Sequence, residues 1–98
     1  MKNQGSLRQR RAVVRAVLRY LITNPDAKDT IEGVRKWWLP AGYREQPQGE
    51  LEGVLDFLAS KNWLTTRMTF DQKIYGVNKK QLAEIRIFLE KFQVRQKN

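Results

Sequence analysis

The chain has no cysteine and no histidine. The first absence excludes a disulfide, a thiolate metal ligand and a thiol nucleophile. The second removes the side chain that most often works as a base near neutral pH. There is also no glycine-rich phosphate loop and no G-x-S-x-G nucleophile turn, so neither an enzymatic activity nor a cofactor is expected. No apolar run is long enough to cross a bilayer, and no membrane association is expected. Glu52 and Asp56 stand four apart and share a helix face, a spacing that two carboxylates need to attract a divalent ion. A solvated helix surface explains them more simply, and no metal is expected. Neither an internal repeat nor a low-complexity segment is visible.

What is present is one small core and a strong charge imbalance. The 98 residues are 41% hydrophobic and include Trp37, Trp38 and Trp63, enough for a single domain near the lower size limit for a self-sufficient core. The net charge is +9, and it is unevenly placed. Residues 1–24 carry six basic side chains and no acid, residues 25–60 four basic and seven acidic, and residues 61–98 nine basic and three acidic. Any polyanion should prefer the two ends over the acidic middle. Arginines run through the N-terminal apolar stretch, which does not fit a secretory signal, so the cytoplasm is the expected compartment.

Periodicity divides the chain into elements. Ser6-Leu7-Arg8-Gln9 reads as a capping box for a first helix that ends at Asn24-Pro25, with Val14, Val17, Leu18 and Leu21 as its apolar stripe. Arg8, Arg11, Arg15 and Arg19 recur at spacings of three and four along another face of that helix. Asp29-Thr30-Ile31-Glu32 is a second capping box, opening a helix through Ile31, Val34, Trp38 and Leu39 that Pro40 stops. Only one of two adjacent tryptophans can point fully inward; Trp38 continues the stripe, which leaves Trp37 partly exposed. Pro40 to Pro47 reads as a loop. A third helix, from Pro47 to Lys61, turns Leu51, Val54, Leu55 and Leu58 inward. After Asn62 the pattern becomes strand alternation over residues 63–70, with a turn at Asp71-Gln72 and a return over residues 73–77. Asn78 begins a last helix bearing Leu82, Ile85, Leu89 and Phe92, with Phe88 beside that stripe. The expected division is a flexible N-terminus over residues 1–5, one domain over residues 6–94 and a flexible tail over residues 95–98.

The run Leu51-x-x-Val54-Leu55-x-x-Leu58-x-x-Lys61-x-Trp63-Leu64-Thr65-Thr66-Arg67 takes a helix straight into a hairpin, and it resembles the third helix and wing of winged helix-turn-helix proteins. The order of elements resembles small bacterial and phage regulators of that superfamily and, more distantly, small winged-helix proteins of Mu-like prophages. The resemblance implies a mainly α (α+β) winged helix: three helices, a short β-hairpin wing and a C-terminal helix. It also implies DNA binding in transcription regulation, with the start of the third helix in the major groove and the wing on the backbone or minor groove.

On that expectation Arg44, Gln46 and Gln48 would reach base edges, arginine to guanine and glutamine to adenine, while Arg67 and Lys73 would serve from the wing. Arg8, Arg11, Arg15 and Arg19 would grip phosphates with little sequence preference. Glu45, Glu50, Glu52 and Asp56 oppose standard docking, because they bring carboxylates close to phosphates. The other reading is a protein-interaction module on the same scaffold, engaging a partner through Trp37, Glu50, Glu52 and Asp56. Trp37, beside Pro40 and Tyr43, could also stack on a base. The final helix would either pack on its own domain or form a homodimer.

Overall fold

The computed structural model describes the backbone of residues 2–97 and the side chains of residues 9–91. The expected Ser6 cap, Arg8, Phe92 and the two chain ends therefore lie outside the described side chains. Among the described residues the architecture is α+β, with four helices and a three-stranded antiparallel sheet.

Helix α1 spans Lys2–Thr23, beginning ahead of the start expected at Ser6. It buries Val13, Val17, Leu18 and Leu21; Val14, expected in the stripe, lies at its half-buried margin. The Asn24 amide and side chain both donate to the Tyr20 carbonyl, at 2.8 and 3.0 Å, and the chain turns through Pro25. Strand β1 (Lys28–Asp29) follows and pairs with strand β3 (Gln72–Val77), placing Lys28 opposite Gly76 and Asp29 opposite Tyr75. Alternation does not predict this strand, because two residues are too few to display it.

Helix α2 (Ile31–Gly33) is capped by Thr30, not Asp29: the Thr30 hydroxyl accepts from the Gly33 amide at 3.3 Å. Asp29 is occupied elsewhere, accepting the indole N–H of buried Trp38 at 2.8 Å. A side chain on Gly33 would put its Cβ 2.5 Å from the Asp29 carboxylate, so this glycine permits the close approach. The helix then widens into a π turn, Val34–Trp38, and Leu39 is already extended. Trp38 stacks on Tyr20 of α1, with ring centroids 5.6 Å apart.

The Pro40–Pro47 loop is held by its own hydrogen bonds. Arg35 donates from one guanidinium nitrogen to the carbonyls of Arg44 (2.6 Å) and Gln46 (2.7 Å). Arg44 in turn donates to the Leu39 carbonyl at 3.1 Å, and a short 3₁₀ turn occupies Ala41–Tyr43.

Helix α3 (Gln48–Ser60) starts immediately after Pro47, whose lack of an N–H costs nothing there, and buries Leu51, Val54, Leu55 and Leu58 as expected. It ends in a Schellman motif. Asn62 takes the left-handed conformation at φ 67°, while the Asn62 and Trp63 amides donate to Ala59 and Leu58. That reversal sends the chain into strand β2 (Leu64–Thr69), which pairs with β3 from Leu64–Val77 to Thr69–Gln72. The sheet order is β1-β3-β2. Only the base of the hairpin enters the core, through Leu64, Tyr75 and Val77; Met68 and Phe70 are exposed. Asn78 ties this base together, donating to Asn62 and Trp63 carbonyls and accepting from the Lys80 amide of the 3₁₀ turn Lys79–Gln81. Helix α4 (Leu82–Lys97) returns against α1, with Ile85 and Leu89 buried and Phe88 edge-on to Trp63. No helix among the described residues is long and apolar enough to cross a membrane.

Candidate nucleic-acid interface

Helix α1 carries Ala12, Ala16 and Tyr20 on one flank, at the four-residue spacing that aligns side chains along a helix. The small side chains of Ala12 and Ala16 leave an open groove between α1 and the segment that runs from the π turn into the loop. Its volume is about 620 Å³. Arg15 and Arg19 line it from α1, and Trp37, Tyr43 and Arg44 line it from the opposite side. Among the described residues no acidic side chain contributes to it.

The backbone explains how the loop residues arrive. Trp38 is fixed inward by Asp29 and Tyr20, which turns its neighbour Trp37 outward to 65% exposure. Arg35, which sequence reasoning did not single out, holds the loop carbonyls so that Tyr43 and Arg44 stay beside α1. Arg44 spends its Nε–H on the Leu39 carbonyl, and a guanidinium has further donors for an anion. The π turn that carries Trp37 is a rare form of helix, frequent at functional sites.

The other expected site residues fall elsewhere. Gln46 is largely buried: it is 9% exposed, at the edge of a recess, and its amide donates to the Tyr43 carbonyl at 2.8 Å. It closes the loop from within, a correction to its expected place among the base-reading side chains. Gln48 is exposed at the start of α3, and Arg11 is exposed on α1 outside the groove lining. Register puts Arg67 and Lys73 on opposite faces of the hairpin, since Arg67 pairs with Ile74 and Lys73 with Met68. Arg67 lies with Lys28 and Ile74 along a recess on one sheet face. Lys73 turns to α3, 3.5 Å from the Asp56 carboxylate.

The acids are likewise divided. Asp56 and Glu52 lie on the side of α3 that faces the hairpin. Burial holds the Tyr75 phenol above its ordinary pKa; Lys73 opposes that shift, and Asp56 and Glu52 add to it. Glu45 and Glu50 border a different recess with Arg10, whose guanidinium lies 3.3 Å from where a Gly53 Cβ would stand. Trp37 thus lies among arginines and apart from the three acids with which the interaction reading grouped it. Compared with known proteins, the chain matches no family model, no curated protein and no solved structure, so its own geometry is the basis for any functional assignment.

Proposed function

We propose that this chain is a nucleic-acid-binding protein on a winged-helix frame, a small regulator or accessory factor that holds the phosphate backbone. The frame is supported by the order of elements: three helical segments, a hairpin entered directly from the third helix, and a short strand after the first helix completing the sheet. The observation that carries the function is the groove lined by Arg15, Arg19 and Arg44, with no carboxylate among the described residues of its lining. Guanidinium groups bind phosphate in a bidentate fashion, and three of them around one groove favour a polyanion over a neutral ligand. The base-reading role that the winged-helix resemblance assigns to the third helix is not part of the proposal. Its start offers Gln48 while Gln46 is withdrawn, and its exposed surface carries Glu50, Glu52 and Asp56.

The test is fluorescence anisotropy with labelled nucleic acid of random sequence at about 50 and about 200 mM salt. Three phosphate contacts should weaken binding roughly 20- to 40-fold between those concentrations, through counterion release. Arg19→Glu, at an exposed position, should reduce affinity at low salt without changing the circular dichroism spectrum. Absence of binding at low salt would sink the proposal. Binding of acidic polypeptide in its place would favour the protein-interaction reading.

A further inference from the structure

The groove's aromatic wall bears on which form of nucleic acid it takes. We infer that the groove binds single-stranded nucleic acid, with a base stacked on Trp37 and the flanking phosphates held by Arg15, Arg19 and Arg44; this rests on the nucleic-acid reading above. Three observations point the same way. Trp37 is 65% exposed although its neighbour Trp38 is almost fully buried, so the fold displays one indole beside a cluster of cations. A duplex keeps the faces of its bases stacked inside the helix and offers this surface only phosphates and sugars. An unpaired strand offers free base faces, and stacking on an aromatic ring tolerates every base. The second observation is size: about 620 Å³ is the volume of a site for a small organic ligand, suited to individual nucleotide units. The third is the surface of α3, where a duplex docked as on a winged helix would meet Glu50, Glu52 and Asp56. A strand lying between α1 and the loop meets the arginine-lined groove, to whose lining those acids do not contribute.

Tyr43 and Tyr20 border the same groove and extend the aromatic surface past Trp37. The chemistry is shared by DNA and RNA, so both belong in the test. The full chain is titrated against one mixed 12-nucleotide sequence as single-stranded DNA, as single-stranded RNA and as blunt duplex DNA, at about 50 mM salt. At least one single strand should bind 10-fold or more tightly than the duplex. Trp37→Ala should weaken single-strand binding roughly 5- to 150-fold and weaken duplex binding by a smaller factor. Trp37→Phe should keep most of the affinity, because the ring face is retained. Because Trp37 is exposed, both variants should keep the wild-type melting temperature. Equal affinity for duplex and single strand, or indifference to Trp37→Ala, overturns the single-strand assignment while the phosphate-gripping function stands. If neither form binds and polyglutamate does, both readings fall together.

Discussion

Asp29 serves a purpose that its position in the sequence does not advertise. Three residues before Glu32, it looks like a helix cap, yet its carboxylate accepts the Trp38 indole proton and leaves capping to Thr30. The indole is buried, so Asp29→Ala strands an N–H donor and should cost roughly 1–3 kcal/mol in chemical denaturation. The same variant should also weaken the proposed nucleic-acid binding, since Trp37 is oriented by the placement of Trp38. Tyr75 gives a second residue-scale prediction. Its folded pKa is raised above the ordinary 10.0, chiefly by burial, so the folded state favours the neutral phenol. Its stabilising contribution is complete below the unfolded value and is lost as pH rises through the folded one. Denaturation midpoints followed from about pH 9 to about pH 11 should therefore fall more steeply for the wild-type chain than for Tyr75→Phe.

Among the elements, the junction of α3 and β2 is the most exacting. Asn62 sits at φ 67° in the Schellman motif, and Asn78 fastens the hairpin base to the carbonyl of that same residue. Glycine meets the backbone requirement without a Cβ penalty, so Asn62→Gly should leave the melting temperature close to wild type. Asn62→Val should lower it, by about 1–2 kcal/mol in stability, because a branched side chain resists the left-handed region. This junction was legible in the sequence: an apolar helical stripe ended at Leu58, alternation began after Asn62, and both boundaries fell close to where they are observed. Strand β1 was not legible, since its two residues pair through backbone groups that any sequence supplies. The π turn was also hidden, because Val34 and Trp38 keep a spacing that an ordinary helix shares.

At the scale of the whole molecule, charge is organised by folding more than by position in the chain. The sequence divides into basic ends and an acidic middle, yet Arg44 from that middle joins the α1 arginines, and Lys73 from the basic C-terminal part turns to Asp56. That Arg15 and Arg19 share a face of α1, and that Trp37 turns outward, could each be read from helical spacing. Their meeting in one groove could not, because it depends on Arg35 securing a loop whose hydrogen bonds leave no periodic trace. Gln46 was misplaced for the same reason: a loop glutamine can satisfy a nearby carbonyl as readily as it can face solvent.

The hairpin surrenders only Leu64, Tyr75 and Val77 to the core, and beyond them its strands hold each other through the backbone ladder and little else. Side chains from Thr66 to Gln72 are therefore nearly released from the requirements of folding. That stretch can drift, lengthen or be replaced over generations while the arginine groove stays intact. The hairpin is the part of this protein freest to change its side chains, and in the laboratory it is the natural place to graft a binding sequence.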